Sequence, residues 1–394
     1  MIFSTTKNIL FELGASSKLG SLLATHSLKR PLFVTDTGIV SNNLLSSATK
    51  SLAIHNIYFS IFSGVVPDPT EQNIADALSQ AKSYNADCVI GFGGGSSLDV
   101  AKVVAYLAHD ANSCSRLSDM YGVGKCGVHR LPLFQVPTTA GTGSEVTPIS
   151  IVTTGPTSKM GIVSPVLLPD AAVLDGELTY SVPPHVTAHT GVDAMVHAIE
   201  AYTNSAGRKN VISDALAREA LRLLSRGLVP AVTAGKTDGQ ARGDMLLGSM
   251  LAGMAFANSP VAAVHALAYP LGAGFKVPHG LSCSLMLPPV MKFNAKKCSG
   301  LYSEIAGDIF KKEMGHYTEQ QIKSDHGKIC DEFIERMEGL LKEVGIPDRL
   351  SAVGVKKSDV EMLSTESMKQ VRLLPNNPRV VDLEDARAIY SSIL

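Results

Sequence analysis

The apolar periodicity of this chain changes once along its length, and that change limits the folds open to it. Up to about Pro169, short apolar and β-branched runs alternate with helical patterns; the runs include Pro31 to Thr35 (PLFVT), Ile57 to Ile61 (IYFSI), Ala86 to Phe92 (ADCVIGF) and Leu131 to Val136 (LPLFQV). Strand runs separated by helices predict a mainly parallel sheet covered by helices. From about Val182 the strand signal fades and helical periodicity takes over, in Asp214 to Leu228, Asp244 to Asn258, Cys330 to Val344 and Leu383 to Leu394. The chain of 394 residues also exceeds what one core usually fills. The expectation is an α/β N-terminal domain over residues 1–181 followed by an all-α C-terminal domain over residues 182–394. Gly248, Ser249, Ala252, Gly253 and Ala255 crowd one predicted helix and point to close packing, and the Ser/Gly-rich stretch Asn112 to Val128 reads as a surface loop.

Charge excludes one class of partner. The 35 basic residues are matched by 36 acidic ones, for a net charge of -1 without long runs, so no basic face for nucleic acid is expected. The six cysteines lack C-x-x-C spacing and read as reduced thiols. The first residues, MIFSTTKNILFELG, do not resemble a secretory signal, and no stretch of about eighteen uninterrupted apolar residues suggests a membrane span. The cytoplasm is the expected location.

Two glycine-rich turns mark the first half as nucleotide-binding. Gly91 to Asp99 (GFGGGSSLD) follows an apolar strand and opens a helix, where free N–H groups and a positive dipole end suit a pyrophosphate. The spacing is not G-x-G-x-x-G and the ribose-binding acid about twenty residues on is missing, so the dinucleotide fingerprint is not met. A plain strand-to-helix turn with Ser96 or Ser97 as N-cap is the alternative. Pro137 to Glu145 (PTTAGTGSE) again follows a strand and offers hydroxyls and amides to phosphate or ribose oxygens. Asp36 ends the PLFVT strand, where a carboxylate can accept from ribose hydroxyls and would repel a 2′-phosphate, favouring NAD over NADP; an ordinary turn aspartate is the other reading.

Asp193 and His197 stand four residues apart in a helical segment, on one face and one turn from each other. Alone, such a pair reads more readily as a solvent-exposed helix contact. His265 lies in an apolar helix and His279 in the turn VPHG. Together, three imidazoles and one carboxylate suit Fe²⁺ or Zn²⁺ and leave room for a substrate oxygen. His189 precedes Asp193 by four on the same face and reads as a surface or supporting residue.

With these motifs in order, the chain resembles the iron-containing (group III) alcohol dehydrogenase family, which includes lactaldehyde (propanediol) reductases and bacterial butanol dehydrogenases. The resemblance runs through GVVPDPT, GGGSSLDVAK, PTTAGTGSEVT, TGVDAMVHAIEAY and VHALAYPLGAGFKVPHG. It implies an N-terminal nucleotide-binding domain and a C-terminal metal-binding domain, with Asp36, Asp68, Gly94, Gly95, Ser96, Asp99, Thr138, Thr139, Thr142, Thr147 and Lys159 around the dinucleotide, and Asp193, His197, His265 and His279 as metal ligands. Where the family often carries histidine four residues after the third ligand, this chain has Tyr269, so a relay through imidazole is not expected there and the phenol is read as packing and shaping the pocket.

The implied reaction is NAD-dependent interconversion of a small primary alcohol or diol with its aldehyde or ketone, by Lewis-acid polarisation of the oxygen and hydride transfer to the nicotinamide. Phe256, Asn258, Phe275 and the loop around Met160 are the candidate substrate contacts. Exchange of hydride between a hydroxyacid and an oxoacid is the neighbouring alternative, metal-dependent hydrolysis or lysis the alternative from another class, and a non-catalytic binding protein a third. A homodimer or higher homo-oligomer is the symmetric default.

Overall fold

The computed structural model describes residues 2–155, 159–207, 209–310, 314 and 317–394. The chain divides into two compact units, Ser4–Ser181 and Val182–Leu394, with Met1–Phe3 grouped with the second. The first contains the strands β1 (Asn8–Phe11), β2 (Pro31–Val34), β3 (Ser60–Phe62), β4 (Cys88–Gly93), β5 (Gly122–Val123), β6 (Leu133–Pro137), β7 (Ile149–Thr153), β8 (Lys159–Val163) and β9 (Ala171–Leu174). Six form one sheet in the order β1-β9-β6-β4-β2-β3, and every neighbouring pair in it is parallel. The helices α1 (Leu19–Thr25), α2 (Thr37–Ser41), α3 (Ser46–Ile54), α4 (Glu71–Tyr84) and α5 (Gly95–Leu107) make the crossovers.

Both faces of this sheet are buried, and alternate residues of the central strands feed separate cores. Leu32, Val34 and Val89 pack with Ile74, Val100 and Val104, while Phe33, Ile90 and Phe92 pack with Leu19, Leu23 and Leu52. That is why the strands read as continuous apolar runs rather than alternating ones. Burying Phe33 and Phe92 fully contributes roughly 1.5–3 kcal/mol each. The strand order reverses between β2 and β4: β3 lies outside β2, whereas β6 and β9 continue from β4 toward β1. In open α/β sheets the carboxyl ends at such a reversal form the ligand crevice.

Two local expectations need correction, and a third, the surface loop Asn112 to Val128, is largely exposed as expected but carries some structure. The strand read at Ile57 to Ile61 is Ser60–Phe62, because only these residues pair with Leu32, Phe33 and Val34; Ile57 is buried ahead of the strand and Tyr58 is exposed. A second sheet, β5-β8-β7, was not expected, and its β7–β8 pair is antiparallel. The stretch Asn112 to Val128 contains the turn Leu117–Met120 and β5, and buried Asn112 ties it down by donating to the carbonyls of Tyr106 and His129.

The second unit has no strand among the described residues. Its helices are α6 (Pro184–Thr203), α7 (Val211–Ala234), α8 (Gly239–Asn258), α9 (Ala263–Phe275) and α10 (His279–Ile309, kinked at Cys298), followed by Glu319–Glu343, Val360–Met368 and Leu383–Ser391. Proline at the first position of α6 suits a helix start, since its missing N–H has no intrahelical partner there. Gly248 of α8 abuts Leu224 of α7, the close packing expected of the small residues. The helix read from Cys330 begins at Glu319, capped by Thr318 and Gln321; its early turns are polar and largely exposed, which hides them from apolar periodicity. No single described helix is long and apolar enough to cross a membrane.

Candidate metal centre and nucleotide loops

Within the helical unit, α6 carries Asp193 and His197 one turn apart on a face that is buried. His265 comes from the first turn of α9 and His279 opens α10. Gly280 lets α10 approach α6 closely: a Cβ there would lie 2.4 Å from the carbonyl oxygen of His189. The four side chains converge, each offering one donor atom, with all four atoms within 4.8 Å of one another.

Two of those atoms decide what the cluster can hold. Asp193 Oδ1 and His265 Nε2 are buried and find no hydrogen-bond partner among the described residues. They lie 3.9 Å apart, and His279 Nε2 lies 3.8 Å from the same carboxylate oxygen. These separations are long for hydrogen bonds and match donors about 2.0–2.2 Å from a shared divalent ion. Leaving such atoms buried without a partner costs about 1–3 kcal/mol each. Burial opposes the charge of Asp193, yet His197, His279 and His265 around it hold its carboxyl below the ordinary carboxylate value. The donor set, three imidazole nitrogens and a carboxylate oxygen, fits Fe²⁺ or Zn²⁺.

In the α/β unit the two glycine-rich turns lie side by side at the carboxyl ends of β4 and β6, where the Thr138 N–H donates to the Gly93 carbonyl at 3.0 Å. Gly94 is the N-cap of α5 and Gly95 its first residue, so Ser96 and Ser97 sit inside the first turn and neither caps the helix. A Cβ on Gly95 would meet Thr142 Cγ2 at 2.8 Å, and one on Gly94 would lie 3.6 Å from Thr139 Oγ1. Asp36, at the end of β2, caps α2 by accepting from the Ile39 N–H at 3.1 Å; its other oxygen is 3.4 Å from the Cβ position of Gly93. The reversal of strand order thus gathers Asp36, the α5 N-terminus and the threonine turn.

Other residues implied by the resemblance are engaged within the protein. Asp99 accepts from Ser144 Oγ at 2.6 Å and the Ile151 N–H at 2.9 Å, tying the two loops together. Thr147 accepts from buried Lys102, whose ammonium also donates to Ser144 and the Ile149 carbonyl. Asp68 and Lys159 pair with each other at 2.5 Å.

Comparison with known proteins follows the same division. The model for "Iron-containing alcohol dehydrogenase" matches residues 6–176, and that for the "Fe-containing alcohol dehydrogenase family, C-terminal" matches residues 187–394. The chain belongs to the iron-containing alcohol dehydrogenase family. Long-chain-alcohol dehydrogenase 1 of Geobacillus thermodenitrificans is 38% identical over 96% of this chain and 93% of its own length. A solved structure of 1,3-propanediol oxidoreductase superposes with a TM-score of 0.92 at 31% identity, covering 100% of this chain and 99% of the other. Sulfoacetaldehyde reductase from Bifidobacterium kashiwanohense, solved in complex with NAD⁺, gives a TM-score of 0.86 at 26% identity, covering 100% and 99%.

As a member of the iron-containing alcohol dehydrogenases the chain is an oxidoreductase acting on alcohols. The family resemblance read from the motifs therefore holds, as does the α/β-then-helical fold. Tyr269 packs its ring 5.9 Å from His279 and 6.5 Å from His265, and burial pushes its phenol up to about 12, so it stays protonated at neutral pH. His189 lies outside the four-residue cluster, edge-on to His185 at 5.9 Å, and burial holds its pKa down. Asn258 donates to the Met254 carbonyl, and Met160 belongs to β8 in the other unit.

Two residues beside the centre escaped the sequence reading. A Glu200 carboxylate oxygen lies 2.6 Å from His265 Nδ1, within hydrogen-bond distance. Cys283 places its sulfur 3.8 Å from His279 Nε2 and its thiol against Asp193, with burial raising its pKa well above the ordinary value. Helical spacing was the available signal: Glu200 follows Asp193 by seven residues and His197 by three, and Cys283 follows His279 by four.

Proposed function

We propose that this protein is an NAD-dependent, divalent-metal-dependent dehydrogenase that interconverts a small primary alcohol or diol with its aldehyde or ketone. The observation that carries the reading is the pair of orphaned donors, Asp193 Oδ1 and His265 Nε2, within a cluster completed by His197 and His279. These four residues would hold Fe²⁺, with Zn²⁺ as the substitute, and the bound ion would supply Lewis acidity to the alcohol oxygen. The chain's own residues do the rest. The α5 N-terminus with Gly94, Gly95, Ser96, Thr138, Thr139 and Thr142 holds the pyrophosphate, and Asp36 accepts from the ribose and disfavours NADP. Asp99 and Thr147 brace those loops, while Asp68 and Lys159 take the outer edge of the dinucleotide. Tyr269, protonated and half-buried against His265 and His279, shapes the pocket; Phe256, stacked on His197, supplies an apolar wall suited to a short carbon chain.

The six cysteines are free, which suits a reducing cytoplasm, and a homodimer is the simplest closed assembly. The test is a panel of alcohols with NAD and NADP on protein loaded separately with Fe²⁺ and Zn²⁺, alongside His265→Ala. Metal retention and turnover should disappear in H265A while NAD still raises the melting temperature; turnover by metal-loaded H265A would overturn the reading. Exchange between 4-hydroxybutyrate and 2-oxoglutarate without release of NADH would replace it with a transhydrogenase.

A further inference from the structure

The carboxylate of Glu200 is buried, 3% exposed, and both its oxygens are committed. One accepts from the Val264 N–H at 2.7 Å and the other lies 2.6 Å from His265 Nδ1, within hydrogen-bond distance. Val264 lies in the first turn of α9, where backbone N–H groups have no intrahelical acceptor, so Glu200 satisfies an orphaned amide and fixes the backbone next to the histidine. The second contact has a chemical consequence. A carboxylate oxygen without a proton can only accept, so in the neutral imidazole the proton sits on Nδ1 and the lone pair on Nε2. Nε2 is the atom that faces Asp193 across 3.9 Å and has no hydrogen-bond partner among the described residues. With the proton on the other nitrogen, His265 would present an N–H to the cluster and could not act as a donor to a cation.

We propose that Glu200 is the positioning residue of the metal centre: it selects the tautomer of His265 and locks both its ring and its backbone, so that the cluster is assembled before an ion arrives. The inference rests on the metal-centre reading above and extends it to a residue that touches neither ion nor substrate. Carboxylate partners of ligating histidines typically contribute 10–100-fold to metal affinity.

Glu200→Gln separates tautomer control from simple filling of space. Glutamine keeps the volume, but its one carbonyl oxygen can serve Val264 or His265 and not both; its NH₂ group then faces a second donor unless the imidazole moves its proton to Nε2. Metal affinity is measured by competition with a chelator, and the tautomer by ¹⁵N NMR of histidine-labelled, metal-free protein, with far-ultraviolet circular dichroism as the check on folding. Folded E200Q should bind Fe²⁺ or Zn²⁺ about 10–100-fold more weakly and carry the His265 proton on Nε2, against Nδ1 in the wild type. Wild-type affinity in E200Q, alongside loss of metal in H265A, overturns the role of Glu200 and leaves the centre standing; metal retention by H265A removes the centre and this inference together. Should E200Q fail to fold, the wild-type spectrum decides, because a His265 proton on Nε2 in the metal-free protein contradicts the proposal outright.

Discussion

The imidazole of His197 lies against the ring of Phe256, with centroids 4.4 Å apart and planes inclined by 21°. The same imidazole stacks on His265 at 4.8 Å and 24°, so one member of the four-residue cluster is held by two flat neighbours. Phe256 stands near the end of α8, and its packing links that helix to α6.

Phe256→Ala should therefore act on both stability and the centre. Truncating a fully buried phenylalanine costs about 3–5 kcal/mol; Phe256 is half-buried, so a loss of about 2 kcal/mol is expected, including the ring stack. Freed of that wall, His197 samples more orientations and metal affinity should fall severalfold. Chemical denaturation and chelator competition on the same preparation measure the two effects, and a destabilised variant with unchanged affinity would assign Phe256 to packing alone.

Gly95→Ala probes the nucleotide loop. The new methyl would meet Thr142 Cγ2 at 2.8 Å and Oγ1 at 3.0 Å, forcing the threonine turn away from the α5 N-terminus. NAD binding should weaken about tenfold, equivalent to about 1.4 kcal/mol, with the metal content unchanged. Calorimetric titration with NAD, paired with metal analysis, checks both halves; wild-type NAD affinity would show that the phosphates bind elsewhere.

Glu145 predicts a pH dependence of folding. Burial raises its carboxyl from 4.5 to about 7. Between those values the unfolded chain has lost the proton that the folded chain keeps, so the unfolded state binds fewer protons and stability falls as pH rises through this window. The decline attributable to Glu145 is on the order of 3 kcal/mol, complete above about pH 7. Glu145→Gln should flatten the stability curve between pH 4.5 and 7, measured by denaturant titration at several pH values. A curve as steep as that of the wild type would mean that other groups produce the slope.

Much of the fold was legible because the signals are local. The strands at Pro31 and Ala86 and the helices at Asp214 and Asp244 declare themselves through spacing and residue type within a few turns of chain. The misplaced start at Ile57 shows the boundary of that logic: β3 begins where β2 offers a partner, and no local pattern records which strand lies alongside. The capped but polar start of Glu319–Glu343 failed for a different reason, since a helix that buries little leaves little apolar pattern to read.

At the site, Asp193 and His197 could be paired from sequence because one helical turn sets their distance. His265 and His279 joined them as donor types that suit the same ion, with the resemblance to known enzymes as support, and not through spacing. Glu200 was passed over although it shares their face of α6, because a glutamate on a helix reads as solvated until its partner is known.

Local covalent geometry thus determined the change from alternating strand and helix to helix alone, the glycine turns that open beside strand ends, and the adjacency of two donors on α6. Tertiary packing alone decided the strand order that brings Asp36 to the glycine turn, the approach of α10 to α6 at Gly280, and the bond from His265 to Glu200. Those depend on residues far apart in sequence, whose separation is set only when the helices and strands pack and exclude water between them.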